Sequence, residues 1–133
     1  MILGIGIDLV SLEYIRGAVE KTGEAFLNQI YSPEEQRLYR RLNRHGFDFL
    51  GGRFAAKEAF LKAIGTGLNG ELTFSQIEFR QLASGQPYLA LTGPVQAYVG
   101  PDSRVHVSIT HHEGYAAAMV IVEALPPAAD KET

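Results

Sequence analysis

Cysteine and tryptophan are both absent from the 133-residue chain. Without cysteine, the chain can form neither a disulfide framework nor a thiolate nucleophile or metal ligand. Long hydrophobic runs are missing as well, since no apolar stretch approaches the roughly 18 residues that cross a bilayer. The apolar N-terminal stretch has no basic region before it and soon meets Asp8, which is not the pattern of a secretory signal. We therefore expect a cytoplasmic protein that does not enter a membrane.

Positive charge is also scarce, because the formal net charge is −3. This balance argues against a general nucleic-acid-binding protein, which usually carries a basic excess. The basic residues are nevertheless concentrated between residues 36 and 62, where seven of them stand against two acidic ones. Such a cluster is typical either of a solvated face or of a binding site for a particular anionic ligand.

The order of the hydrophobic patterns predicts a single α+β domain over residues 1–125, with a disordered tail at 126–133. Hydrophobic residues make up 46% and charged residues 20% of the chain, as in soluble globular proteins. Helices packed on a mostly antiparallel sheet are predicted, because the helical patterns come first and most strand patterns follow. The predicted strands are 2–10, 72–82, 87–92, 104–110 and 115–123, and the predicted helices are 12–29 with a break near Gly23, 33–42 and 48–64.

The helix predicted over residues 48–64 carries cations where a buried face is expected. At about 100° per residue, Arg53 and Lys57 fall within the apolar arc, and Glu58 and Lys62 lie at its edge. Buried cations are costly unless an anion meets them. The cations would then bind an anionic ligand. Alternatively, the aliphatic stems of Arg53 and Lys57 carry their charged ends out to water, and Glu58 and Lys62 form only an ion pair on the helix surface.

A carboxylate at the end of a glycine-rich strand strengthens the first interpretation. Asp8 could cap the following helix, but with Glu58 it could also hold a Mg²⁺ ion that bridges phosphate oxygens. Arg53, Lys57 and Lys62 would then bind the phosphates around the metal. These are the components of phosphoryl-transfer chemistry, in which positioning and charge neutralisation supply most of the catalysis.

The histidines give weaker evidence of a functional site than Asp8, Glu58 and Lys62 do. Zinc is not expected, because the chain has no cysteine and no suitably spaced third ligand beside His111 and His112. A contact between His111 and a phosphate is the better functional interpretation. His45 and His106 are expected at the surface.

Three segments occur in a distinctive order: GIGIDLV at 4–10, GRFAAKEAFLKA at 52–63 and VSITH at 107–111. In this order they resemble the bacterial holo-acyl-carrier-protein synthases, which belong to the 4′-phosphopantetheinyl transferase superfamily. The resemblance covers residues 1 to about 123. It implies the single-unit transferase fold and an enzyme that moves the 4′-phosphopantetheine arm of coenzyme A onto a serine of apo acyl carrier protein. Adenosine 3′,5′-bisphosphate is the other product, and fatty-acid biosynthesis is the expected pathway.

The resemblance also assigns roles at the catalytic centre. It implies that Asp8 and Glu58 bind Mg²⁺ at the pyrophosphate and that Lys62 contacts the pyrophosphate. Glu58 is the expected base for the serine hydroxyl, either directly or through a metal-bound water. The expected coenzyme A contacts are Arg53 and His111 near its phosphates, Arg44 and His45 at the nucleotide end, Lys62 within the middle motif and Gly65 just after it, and Gln86 and Pro87 at the adenine end.

A chain of one such unit resembles the members that form homotrimers with active sites at subunit interfaces. In relatives the first helix tends to be basic, which suits the docking of an acidic carrier protein. This chain departs from that pattern, because its first helix holds three glutamates against Arg16 and Lys21. The positive surface could instead come from Arg37, Arg40 and Arg41. Two other functions are compatible with the same residues. The chain could bind coenzyme A without turnover, or it could be a nucleotide phosphohydrolase.

Overall fold

The computed structural model describes residues 1–66 and 72–126. It confirms the α+β class. The chain runs through β1 (Ile2–Ser11), α1 (Leu12–Thr22), α2 (Glu24–Ile30), α3 (Pro33–Arg40), α4 (Gly46–Ile64), β2 (Ile77–Gln81), β3 (Pro87–Leu91), β4 (Ser103–His112) and β5 (Tyr115–Ala124), with 3₁₀ turns at Phe74–Gln76 and Gly93–Tyr98. The predicted tail lies, apart from residue 126, outside the described residues. No helix of the described part is long and apolar enough to span a bilayer.

Capping residues fix the starts of two helices. The Ser11 hydroxyl accepts a hydrogen bond from the Tyr14 amide at the start of α1. Gly23, at a φ of 47°, separates α1 from α2. Ser32 and Glu35 form a reciprocal capping box at the start of α3. Three boundaries were wrong by two to five residues: α3 ends at Arg40, α4 already begins at Gly46, and β2 begins only at Ile77 because a 3₁₀ turn precedes it.

The strands form two antiparallel sheets. The larger has the order β1-β5-β4, and β2 and β3 form a separate hairpin. In the larger sheet, Asp8 lies opposite Ala118, which lies opposite Ile109. These residues share the inner face of the sheet, against which α4 packs.

Helix α4 is the centre of the core. Leu50 and Phe60 are completely buried, and so are Ala55 and Ala59 on the side opposite the predicted apolar arc. This alanine side packs against β1, so the helix is buried on both sides. Only small residues permit such close packing between a helix backbone and a strand backbone.

The outer face of the larger sheet is apolar and uncovered in the single chain. Side chains alternate along β1, with its glycines facing α4 and its large apolar side chains facing outwards. Ile5 and Ile7 are each 62% exposed. This outer face, as we use the term, comprises Leu3, Ile5, Ile7, Leu9, Tyr115 and Met119, all of them exposed.

Candidate active site

Asp8 and Lys62 meet where β1 crosses the C-terminal half of α4. The Lys62 Nζ donates to Asp8 Oδ1 and to the Ile7 carbonyl, both at 3.0 Å. The Asp8 side chain is largely buried, whereas that of Lys62 is half exposed. Lys62 therefore keeps N–H capacity on its solvent side for an anionic ligand.

Glu58, one helical turn before Lys62, completes this group. Partial burial raises the pKa of Glu58, the negative charge of Asp8 raises it further, and Lys62 opposes the increase. Asp8 and Glu58 are thus close enough to repel each other when both are ionised. A bound cation would remove this repulsion.

The donor set of this pair suits Mg²⁺. Two carboxylates are hard oxygen ligands, and Mg²⁺ commonly uses one or two of them while keeping waters and phosphate oxygens in its remaining positions. No group of three or more acidic or histidine ligands occurs among the described residues. Two carboxylates by themselves would leave most positions of such an ion to water and to a ligand.

Lys57 is not a phosphate ligand, so this part of the sequence interpretation was wrong. Its side chain is 0% exposed, and its Nζ donates to Glu35 Oε1 at 2.6 Å and to two backbone carbonyls, those of Ile30 and Phe74. The Glu35 carboxylate also accepts the amides of Ser32 and Phe79. The anion that compensates the buried charge of Lys57 is therefore a carboxylate of the same chain, that of Glu35.

Glu35 is a residue whose role sequence reasoning missed. In the sequence, its position after Ser32-Pro33 indicates only a favourable charge at the start of a helix. The capping box is present, but the same carboxylate also joins α3 to α4 and to β2. The signal was the unmatched cation Lys57, which required a buried acid somewhere in the chain.

Arg53 lies away from the Asp8–Glu58 pair, on the side of α4 that faces α3 and the hairpin. It is 6% exposed, and its guanidinium carbon lies 3.5 Å from the ring centre of Phe49 and 4.5 Å from that of Phe79. Burial lowers the pKa of Arg53 to about 10, while Glu35 opposes the decrease. The side chain borders a cavity of about 700 Å³ that also contacts Tyr88 of the hairpin.

His45 and His111 come together at the other end of α4. The His111 Nε2 donates to the Asp48 carbonyl at 2.8 Å, and the His45 Nδ1 lies 3.1 Å from Asp48 Oδ2. Gly52 permits this contact, because a Cβ there would lie 3.0 Å from His111 Nε2. His45 is exposed, as expected, and Arg44 beside it lines a second cavity of about 430 Å³.

The remaining predicted ligand residues lie on turns. Gly65 ends α4 at a φ of 76°, and its amide donates to the Leu61 and Lys62 carbonyls. Gln86 and Pro87 lie in the exposed turn and first residue of the hairpin's second strand. At 1.5 Å per residue, His45 lies about 20 Å along α4 from Glu58, whereas Gly52, which His111 contacts, lies about 9 Å from it.

The alternative basic surface on α3 is mostly neutralised. Arg37 pairs with Glu34, and Arg40 pairs with Glu24 of α2 at 3.1 Å. Of the three arginines, Arg41 has no ion pair among the described residues. The structure therefore does not support an extended positive patch on this helix.

A family model described as the 4′-phosphopantetheinyl transferase superfamily matches residues 4–120. This chain belongs to that superfamily. The resemblance read from the three sequence segments is confirmed, as is the fold that it implied.

Named relatives are similar in sequence to this chain along nearly its whole length. It is 43% identical over 126 residues to a holo-[acyl-carrier-protein] synthase of Geobacillus sp. strain WCH70, covering 94% of this chain and 99% of the relative. The corresponding protein of Bacillus subtilis strain 168 is also 43% identical over 126 residues, with coverage of 94% and 98%.

Solved structures of this superfamily share the fold. The holo-[acyl-carrier-protein] synthase of Neisseria meningitidis has a TM-score of 0.82 at 36% identity, covering 92% of this chain and 99% of the other. The Bacillus anthracis enzyme, solved in complex with coenzyme A (3′,5′-ADP), has a TM-score of 0.79 at 36% identity, with coverage of 93% and 98%.

Proposed function

We propose that this protein transfers the 4′-phosphopantetheine group of coenzyme A to a serine of apo acyl carrier protein. The observation that carries the proposal is the grouping of Asp8, Glu58 and Lys62 in a member of the superfamily. Two carboxylates and a half-exposed ammonium are suited to a pyrophosphate with its cation. Fatty-acid biosynthesis in the cytoplasm is the proposed setting, and Mg²⁺ the proposed cofactor.

The reaction exchanges one phosphorus–oxygen bond for another. The serine oxygen bonds to the phosphorus that carries the pantetheine arm, and the bond from that phosphorus to the bridging oxygen breaks. Adenosine 3′,5′-bisphosphate leaves with the electron pair of the broken bond. The serine proton passes to Glu58, either directly or through a bound water.

Each residue of the group has a distinct task in this step. Lys62, positioned by its bonds to Asp8 and the Ile7 carbonyl, donates to the pyrophosphate and offsets the charge on the leaving phosphate. Asp8 and Glu58 would hold Mg²⁺, which when bound neutralises pyrophosphate charge. We assign the nucleotide end of coenzyme A to Arg44, His45, Arg53, Gly65, Gln86, Pro87 and His111.

We further propose that three chains assemble through the outer face. Six large apolar side chains are exposed there, and burying them would release much apolar surface from water. An interfacial active site explains why His45 and the Asp8–Glu58 pair lie toward opposite ends of α4. The histidine end of one chain's α4 would face the Asp8–Glu58 end of a neighbour, so that one coenzyme A molecule contacts both.

The variant Ile5→Asp tests the assembly. A carboxylate at the centre of the outer face would be desolvated in every subunit of a trimer, so we expect the assembly to dissociate and transfer to be lost. Light scattering after size exclusion should change from three chains to one of 14.6 kDa. Tyr98→Asp changes an exposed aromatic residue outside both this face and the histidine end of α4, and it should leave the mass unchanged. A trimeric Ile5→Asp variant would contradict the proposed interface.

Intact-protein mass spectrometry tests the function itself. We expect an apo acyl carrier protein, incubated with this protein, coenzyme A and Mg²⁺, to gain the mass of one phosphopantetheine group. The gain should disappear with EDTA. Release of free phosphopantetheine into water would instead indicate a phosphohydrolase, and coenzyme A binding without any turnover would indicate a binding module. Carriers of fatty-acid and of polyketide synthesis should be compared as acceptors.

A further inference from the structure

The packing of β1 on α4 is closer than any side chain would allow. A Cβ built on Gly6 would lie 1.8 Å from the Ala59 carbonyl oxygen, and one on Gly4 would lie 1.9 Å from that of Ala63. Both obstacles are backbone atoms of α4, so no side-chain rotation can make room. The two glycines let the strand backbone lie directly on the helix backbone.

This contact lies beside the two carboxylates. Gly4, Gly6 and Asp8 share the inner face of β1, two residues apart from one another, while Glu58 immediately precedes Ala59 on α4. The depth at which β1 sits on the helix therefore helps to set the separation between the Asp8 and Glu58 backbones. Lys62, bonded to Asp8 and the preceding carbonyl, ties the same strand segment to the helix.

We propose that Gly6, with Gly4 before it, is a positioning residue that sets the size of the cation which the carboxylate pair accepts. This rests on the proposed function, in which that pair holds the metal. Mg²⁺ requires oxygen ligands at about 2.0–2.1 Å in near-ideal geometry, whereas Ca²⁺ accepts them at about 2.3–2.6 Å with more freedom. A pair held close by backbone contact favours the smaller ion.

The variant Gly6→Ala should change the ion preference as well as the activity. The new Cβ would lie 1.8 Å from the Ala59 carbonyl oxygen if nothing moved. Strand and helix must therefore move apart by about 1.2 Å to bring this distance to 3.0 Å. Displacements of about 1 Å in catalytic sites can lower the reaction rate about 100-fold, and we take the same factor as the upper bound for the loss of Mg²⁺ affinity. We expect the dissociation constant for Mg²⁺ to rise between 10-fold and 100-fold, and that for Ca²⁺ to rise much less.

Calorimetric titration of Mg²⁺ and of Ca²⁺ into the full chain, with saturating coenzyme A, measures this directly. Gly100→Ala is the matched control, because a Cβ there meets only the Ser103 hydroxyl at 3.7 Å, and it should bind both ions like the parent protein. If Gly6→Ala does not fold, as judged by circular dichroism, Gly4→Ala takes its place, since its displacement begins farther from Asp8.

The outcomes separate this inference from the function on which it rests. A parent chain that binds Mg²⁺, with a glycine variant that binds Mg²⁺ and Ca²⁺ in the same ratio, overturns the positioning role and leaves the metal site standing. An equal loss of both ions also overturns it, because a merely loosened structure would not discriminate by size. A parent chain that binds neither ion overturns the metal site and this inference together.

Discussion

Lys57→Met is expected to destabilise the protein by about 3–5 kcal/mol, because it leaves the Glu35 carboxylate buried without its cation. The Glu35 side chain is 0% exposed, and the Ile30 and Phe74 carbonyls lose their donor in the same change. Urea unfolding should show a lower midpoint, and the melting temperature should fall by roughly 10–20 °C for a domain of this size.

Lys62→Met provides the matched control, since it removes the same charge from the same helix. Its side chain is 55% exposed, whereas Lys57 is completely buried, so its effect on stability should be clearly smaller than that of Lys57→Met. Phosphopantetheine transfer should nevertheless be lost. If Lys57→Met instead kept the parent melting temperature and lost coenzyme A affinity, the buried ion pair would not have the role that we assign to it.

Glu58→Gln is expected to lower transfer at least about 100-fold, because the amide can neither accept the serine proton nor hold a cation as a carboxylate does. In the absence of metal, the same change should raise the melting temperature at neutral pH. The pKa of Glu58 is raised in the folded chain, so ionisation of this group costs stability as the pH rises through that pKa. Glutamine carries no such cost.

The pH and metal dependence of the melting temperature check this argument. The advantage of Glu58→Gln should shrink as the pH falls through the raised pKa of Glu58 toward the ordinary glutamate pKa of 4.5, and it should vanish below 4.5, where Glu58 is protonated in both states. Mg²⁺ should raise the melting temperature of the parent protein and have little effect on the variant. A variant that responds to Mg²⁺ like the parent protein would show that Glu58 does not bind the metal.

Elements marked by local signals could be predicted from the sequence. Ser11, Gly23 and the Ser32 capping box mark helix boundaries through interactions within a few residues, so no tertiary contact is needed to recognise them. The alternation along β1 is likewise local. Boundaries that depend on packing were less accurate, as at the 3₁₀ turn before β2.

The candidate site divides in the same way. Its chemical types, an aspartate on a glycine-rich strand and a glutamate and lysine one turn apart, are visible in the sequence, and the family follows from the order of three segments. Helical spacing gives the direction of a side chain from its own helix, but not what it meets there. Arg53 and Lys57 therefore appeared equivalent to Lys62.

The sequence by itself determined the fold class and the family, and it supplied the members of the candidate catalytic group, because these depend on local pattern and residue order. Only the tertiary structure decided that Glu35 neutralises Lys57, that Arg53 lies between two phenylalanine rings, and that the glycines of β1 rest on the backbone of α4. It also decided which face of the sheet remains uncovered. These facts depend on distances between segments far apart in the chain, and such distances are fixed by packing.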